Sequence, residues 1–428
     1  MPAPSDHLRR ELGTGAAVLL GLGSIVGTGV FVGVGIAAEA AGPSVILAIG
    51  LAGLLATFNG LSSAQLAASH PTSGGTYEYG YRYLTPALGF TAGWMFLAAK
   101  SASAATAALG FSGYVARLTG VGEGGVVIAL VAVVGITALV ALGVRRSATA
   151  NAAIVGVTLL GLLWFAMAGS FEISGDNFTP FIGGGGAGLL EATALMFVAY
   201  TGYGRIATLG EEVRDPKRTI PRAIIVTLIV SVLLYGAVAT TAVGAAGSDA
   251  LVDATGGTAA PLEVVARGFS APAVPRIVGV AAITAMLAVL LNLVLGLSRV
   301  ALAMGRRRDL PGAFARIDPS GRTPIVAVPI VGGVIAALAM FGSVRTTWTF
   351  SAFTVLVYYA ITNLAAIRLP AESRRYPRSL AWSGLIGCLG LAFWVDVAAW
   401  AAGLVVIAVG LVWHAIAARM RSHDNPTP

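Results

Sequence analysis

The residues with the most chemistry to offer are Gly21-Leu22-Gly23-Ser24-Ile25-Val26-Gly27-Thr28-Gly29-Val30-Phe31, where four glycines crowd an apolar run from about Gly15 to Ala38. A run of that length can cross a bilayer as a helix, and such a helix must hydrogen-bond its own backbone. Glycines this dense weaken it and let the backbone open. Open backbone at membrane depth survives only where it lines a cavity. There the N–H groups at the start of a half-helix form an anion site, and the freed carbonyls form a cation site. A small zwitterion, with one carboxylate and one ammonium, matches such a break. The same glycines also suit close helix packing, since Gly23 and Gly27 are four residues apart. On this stretch alone both readings stand.

A second stretch shifts the balance. Leu195-Met196-Phe197-Val198-Ala199-Tyr200-Thr201-Gly202-Tyr203-Gly204-Arg205-Ile206-Ala207-Thr208 sets two glycines around an aromatic and follows them with a cation. Counted in spans, the two interruptions lie five apart, an odd offset that runs their helices in opposite directions through the membrane. Paired interruptions at corresponding positions of two halves point to a transporter built on an inverted repeat. Ionisable groups in apolar surroundings add to this. Lys100 lies inside the third apolar span. A charged lysine there costs at least about 2.5–3.5 kcal/mol, so it needs a carboxylate, a substrate or release of its proton. Glu191 opens the sixth span, where the helix dipole favours an anion. An ion pair between Lys100 and Glu191 is the structural alternative to a coupling role for either. Arg205 could pair with Glu191, Glu211 or Glu212, and Glu39 sits near the outer end of the first span.

The elements that carry these residues follow from composition. The 428 residues are 57% hydrophobic and only 11% charged, with a mean hydropathy of +0.84, against about 25% charged in soluble proteins. The chain therefore reads as an all-α polytopic membrane protein. Its net charge of +8 falls mainly between apolar spans, so membrane orientation accounts for it better than nucleic-acid binding. Cys388 is the lone cysteine and excludes an intrachain disulfide framework. His7, His70, His414 and His423 are scattered, which argues against a metal site. No cofactor motif and no nucleophile–base constellation stands out, so an enzyme is disfavoured. The start of the chain reads as a short polar tail rather than a cleaved signal peptide.

Apolar length predicts about twelve spans, at roughly 14–38, 43–68, 86–118, 125–143, 148–170, 187–210, 221–246, 274–304, 325–343, 347–368, 380–396 and 398–418. The last two are short and join through Asp396. The connection from about Gly247 to Pro275 reads as an external loop with one short helix. The charged segment Glu211 to Arg222 reads as an inner loop, with Pro221 in the first turn of the next helix. With the N-terminus in the cytoplasm, Arg145, Arg146, Arg214, Lys217, Arg218, Arg306, Arg307, Arg308, Arg374 and Arg375 all fall inside. Outside fall only Arg117, Arg267, Arg276 and Arg345. This bias predicts a multi-pass protein of the cytoplasmic membrane with both termini in the cytoplasm. The predicted divisions are a tail at 1–13, a first half at 14–170, a second half at 187–368, a hairpin at 380–418 and a tail at 419–428.

Several motifs resemble the amino acid–polyamine–organocation transporter superfamily, in particular its bacterial amino acid permeases. The stretch 21–31 followed by Ala41-Gly42-Pro43 resembles that family's first-helix signature. His70-Pro71-Thr72-Ser73-Gly74-Gly75-Thr76-Tyr77 is similar to its inner loop after the second helix, and Gly89-Phe90 with Gly93-Trp94 to the start of its third. Glu211-Glu212-Val213-Arg214-Asp215-Pro216-Lys217-Arg218-Thr219-Ile220-Pro221 is the most specific match. Ser298-Arg299-Val300-Ala301-Leu302-Ala303-Met304 with Leu310-Pro311 resembles the end of the eighth helix. The resemblance implies a LeuT-like five-plus-five inverted repeat, a further helix pair, and a substrate site at the unwound first and sixth helices. It assigns the substrate carboxylate to the backbone N–H groups of Gly27, Thr28 and Gly29, helped by the Thr28 hydroxyl. Carbonyls near Ile25 and around Phe197, Val198 and Thr201 would take the ammonium, with Tyr200 and Gly202 beside them.

The chain also departs from the family pattern. Thr158 stands where some relatives carry a coupling lysine, and Ala285 to Leu291 offers no hydroxyl for a sodium site. Val198 stands at a tryptophan gate position, and Gly204 at a position often acidic. The resemblance places Lys100 on the site-lining face of the third helix, so Lys100, Thr158 and Glu191 are the coupling candidates. Leu293 with Val198 suggests room for an apolar or small neutral side chain, with Asn292 at the edge of the pocket. The function expected is proton-coupled, alternating-access uptake of such an amino acid across the lipid bilayer. An exchanger, a polyamine permease, and a transporter-like sensor or channel are the alternatives.

Overall fold

Helix α1 (Thr14–Ile25) stops where Val26 turns extended, at φ −77° and ψ 101°. After Gly27 the chain re-coils through a π-helical turn at Gly29–Gly33 into α2 (Val34–Ala41). Gly42, at φ +58°, and Pro43 then reverse the chain into α3 (Val45–Ser69). The positive φ is one that glycine adopts without strain. This computed structural model describes residues 13–70, 74–121, 125–143, 148–207, 213–319 and 323–424.

The short helix α4 (Thr76–Tyr83) follows, where the sequence suggests only a loop, and then the long α5 (Pro86–Thr119). Thr85 caps α5 by accepting from the Leu88 N–H at 3.3 Å, and Pro86 fills its first turn. Helices α6 (Gly125–Ala141) and α7 (Ala148–Gly169) come next.

After them the chain forms α8 (Gly185–Tyr200), a 3₁₀ turn at Thr201–Tyr203 and the single-turn α9 (Gly204–Ala207). Then come α10 (Pro216–Thr258), α11 (Pro261–Ala266), α12 (Val274–Arg306), α13 (Ala327–Phe341) and α14 (Val344–Ile367). Helices α15 (Arg378–Ala392) and α16 (Val397–Asp424) finish the described chain.

Among the described residues, six helical stretches are long and apolar enough to cross a membrane. They are Thr14–Ser69, which holds α1 to α3, then Thr149–Glu172, Pro216–Thr258, Val274–Arg306, Val344–Ile367 and Val397–Met420. The chain is an all-α polytopic membrane protein. Its apolar exterior is continuous with this: Val131, Val134, Leu160, Leu163, Val405 and Val412 all lie exposed on outer helix faces, where lipid rather than water is the natural neighbour.

Two sequence expectations are corrected. Pro221 does not begin the seventh span. Asp215 and Pro216 do, and Pro221 lies inside α10. A proline there leaves the carbonyl of residue i−4 without its helical donor. That carbonyl, on Lys217, accepts from the Arg375 guanidinium at 2.5 Å, so a neighbouring connector repairs the ladder. The connection after Gly247 is not a loop with one short helix. Gly247, at φ +81°, kinks α10, which then continues helical to Thr258 before α11.

The ends of the bundle are pinned by polar anchors. Glu263 of α11, 1% exposed, accepts from Arg117 of α5 at 2.9 Å and from Arg267 at 2.6 Å. Ser270 donates from its hydroxyl (2.6 Å) and its N–H (2.9 Å) to Glu172. At the opposite end Asp309 is buried and accepts from Tyr77 (2.7 Å) and Tyr81 (2.6 Å). Its backbone carbonyl takes the Trp413 indole N–H at 2.7 Å. Short α4 and the last helix are thereby tied to the turn after α12.

Candidate functional site

The two interruptions meet. Gly202, in the 3₁₀ turn between α8 and α9, lies against the backbone of the first break. A methyl group there would stand 2.7 Å from the Ile25 nitrogen and collide with the Ser24 carbonyl. Gly29 lies as close to Ala199, whose Cα would be 2.8 Å from such a methyl. The glycines therefore do both things the sequence leaves open: they open the helices, and they let the opened backbones touch.

At the first break the helical ladder lapses. Val26 N–H bonds the Leu22 carbonyl at 2.8 Å, and the next donors to find partners are Val30 and Phe31, both on the Gly27 carbonyl at 3.1 and 3.2 Å. Between them, the N–H groups of Gly27, Thr28 and Gly29 have no acceptor among the described residues. The Thr28 hydroxyl is buried and also has no partner. Four donors are thus left open at the start of a half-helix, where the dipole favours negative charge.

The second break is the reverse: its acceptors are occupied. Lys100 of α5, 8% exposed, donates from Nζ to the Thr201 hydroxyl at 2.7 Å. That hydroxyl in turn donates to the Val198 carbonyl at 2.8 Å. Tyr359 of α14 donates to the Thr201 carbonyl at 3.2 Å. Tyr235 of α10 donates to the Ile25 carbonyl at 2.8 Å, with the Ala199 carbonyl at 3.4 Å. Tyr200 reaches the Ile49 carbonyl of α3 at 3.1 Å. Phe197 and Tyr203 pack on Tyr359 with ring centroids 5.6 and 5.4 Å away.

The other expected residues fall in different places. Thr158 is buried on α7, with its hydroxyl returned to the Ile154 carbonyl at 2.8 Å. Glu191 is not beside Lys100. It lines a small open cleft of about 160 Å³ with Ile36, Glu39, Ala40, Leu195, Arg345 and Thr349, where Arg345 pairs with Glu39 at 2.6 Å. Leu293 packs in a separate apolar cluster of α5, α6, α12 and α13. Val289, one turn earlier on α12, is the residue over the first break, 2.6 Å from where a Gly27 methyl would stand. Arg205 is exposed, and Glu211 and Glu212 lie outside the described residues.

Sequence reasoning misses Tyr235, Tyr359, Val289 and Trp348. Trp348 donates its indole N–H to the Leu195 carbonyl at 3.0 Å and packs on Gly33. The tyrosines carry a signal, a phenol in mid-span that must find an acceptor. Val289 carries none, since one apolar residue of a span resembles another until the facing helix is known.

Paired helix breaks in a polytopic bundle, with open donors at one and a buried amine at the other, define a secondary transporter of small molecules. The chain belongs to the amino acid permease family, whose profile matches residues 16–425. An uncharacterized transporter of Mycobacterium tuberculosis is 41% identical over 415 residues, covering 96% of this chain and 92% of that one. A branched-chain amino acid permease of Bacillus subtilis is 29% identical, covering 98% and 95%. A methylthioribose transporter of the same organism is 30% identical, covering 98% and 96%.

Proposed function

We propose that this protein takes up a neutral or small apolar amino acid by alternating access, driven by protons, on a twelve-span bundle of two inverted five-helix halves and a closing pair. In this reading α1 to α7 form the first half (14–170), α8 to α14 the second (187–368), and α15 with α16 the pair (380–418), with both termini cytoplasmic. The observation that carries it is the row of three unpaired N–H groups at Gly27, Thr28 and Gly29, beside an unpaired Thr28 hydroxyl. A carboxylate accepting two or three backbone N–H bonds is strongly held. The ammonium goes to carbonyls at Ile25, Val198 and Thr201, displacing the tyrosine or hydroxyl that now covers each, and to the Phe197 carbonyl. Gly202 and Tyr200 keep the second break in place.

The side chain then meets Val198, Phe197 and Val289, an apolar surround that suits the branched-chain specificity named for the Bacillus relative. Lys100 carries the coupling proton. Its ammonium has three donors and one acceptor in Thr201, and no carboxylate among the described residues lies within 4.0 Å of it. Thr158 and Glu191 act outside that step, Glu191 in the entry cleft.

The test is uptake of tritiated L-leucine into proteoliposomes with and without an inward proton gradient. Lys100→Met is expected to abolish stimulation by the gradient and flatten the pH profile. Unchanged stimulation in Lys100→Met removes the coupling assignment. The methylthioribose relative favours a second reading, a polar solute without a carboxylate, which competition by methylthioribose tests directly.

A further inference from the structure

On the cleft side of the two breaks, the π-turn with α2 runs beside α8, and what joins them changes turn by turn. At the breaks they touch directly, Gly29 on Ala199. One turn toward the cleft the matching residues are Gly33 and Leu195, and there the Trp348 indole of α14 stands between them. A methyl on Gly33 would lie 2.8 Å from Trp348 Cζ2, and Trp348 Nε1 donates to the Leu195 carbonyl at 3.0 Å. The next turn sets Ile36 and Ala40 of α2 against Glu191 of α8, and here the seam opens into the cleft.

The indole is thus a single layer between two polar features. On one side is the cleft. On the other, one turn deeper, are the unpaired N–H groups of Gly27, Thr28 and Gly29. Trp348 is buried and lies on the cleft-lining side of α14, one turn from Arg345 and next to Thr349. Two features set it apart from ordinary helix packing. At Gly29 and Ala199 the seam closes by the contact of two small residues, whereas one turn on it is filled by a large ring from a third helix, and Gly33 admits that ring because it has no side chain. The polar end of the ring is met by a carbonyl inside α8, which the helical ladder already pairs with the Ala199 N–H. The indole bond can therefore break without stranding that carbonyl.

We infer that Trp348 is the gate between the cleft and the open donors. Seated on Gly33 and bonded to Leu195, its indole closes the route from the cleft to Gly27, Thr28 and Gly29, and it leaves the seam when a substrate enters. This rests on those donors as the substrate site. The gating element is then a side chain of α14, a helix that carries neither break, and the structure is the state in which the cleft is shut off from the donors.

The experiment measures how fast a thiol at the donors is reached from the cleft. Thr28→Cys is made in the full chain with the native cysteine removed (Cys388→Ala) and labelled in membranes with the impermeant reagent sulfonatoethyl methanethiosulfonate. Glu39→Cys, in the cleft, shows whether the cleft is reached in intact cells or in inverted vesicles, and the comparison is made from that face. The gate predicts that adding Trp348→Ala speeds labelling of Thr28→Cys at least tenfold. Trp348→Phe keeps a ring, loses the bond to Leu195 and should speed it less. Buried Cys388 should stay unlabelled when Trp348→Ala is made in the otherwise native chain. A Thr28→Cys rate within twofold of the parent in Trp348→Ala overturns the gate. So does labelling of Cys388 in Trp348→Ala, which marks general loosening of the bundle. Saturating leucine separates the gate from the reading beneath it. Labelling that leucine slows supports both. Fast labelling that leucine leaves unchanged keeps the gate and removes the donors as the substrate site.

Discussion

The two helix breaks share a cause and differ in what they leave open. Both arise from glycines at membrane depth, and they touch backbone to backbone at Gly202 and Gly29. At the first, donors from Gly27 to Gly29 have no acceptor among the described residues. At the second, and on the carbonyl that ends α1, acceptors are covered by Lys100 through Thr201, by Tyr359 and by Tyr235. A buried unpaired donor costs about 1–3 kcal/mol, so evenly satisfied breaks would be the more stable design. The asymmetry points to a ligand whose negative end is held by the protein's open donors, while its positive end must compete for occupied acceptors.

The largest expected effect breaks the contact between the breaks. Gly202→Ala drives a methyl into the Ser24–Ile25 backbone, which has no flexible end to give way. Overpacking of this kind costs about 1–3 kcal/mol or more. Leucine uptake should fall at least a hundredfold, with a lower melting temperature in detergent. Gly204→Ala faces only the Tyr359 hydroxyl at 3.2 Å and should keep most of both.

A smaller effect isolates the donor side. Thr28→Val removes one open donor and keeps the shape, so the KM for leucine should rise about tenfold, the equivalent of about 1.4 kcal/mol, with little change in maximal rate. An unchanged KM would mean that the hydroxyl is not part of the site. The smallest effect concerns the side-chain surround. Val289→Ala should shift preference toward larger side chains by a few-fold in competition assays. Leu293→Ala should leave preference within twofold, because Leu293 packs in another cluster.

Much of this is legible in the sequence, for identifiable physical reasons. Glycine spacing locates both breaks, because glycines this dense weaken a spanning helix at a depth where no water can take over its backbone bonds. Lys100 stands out by the cost of burying a charge. What it touches does not: Thr201 is far along the chain and reaches it only through tertiary packing. Charge alone suggests Glu191 as its partner, and the fold puts that residue in the cleft. The family resemblance suggests Leu293 for the pocket, and one turn decides that Val289 faces the break instead. Pro221 reads as a helix start, although Asp215-Pro216 carries the stronger signal. Tyr235 and Tyr359 escape notice because a phenol gains its role from the carbonyl opposite, which only the packing supplies.

The central claim is that the open donors of Gly27, Thr28 and Gly29 hold a carboxylate. Competition against tritiated L-leucine uptake in proteoliposomes, by unlabelled leucine and by leucine methyl ester, tests it most directly. The claim predicts that the ester, with its acid masked, competes at least tenfold more weakly than the free amino acid, and that Thr28→Val narrows this gap. An ester that competes as well as leucine, in wild type and variant alike, would contradict it.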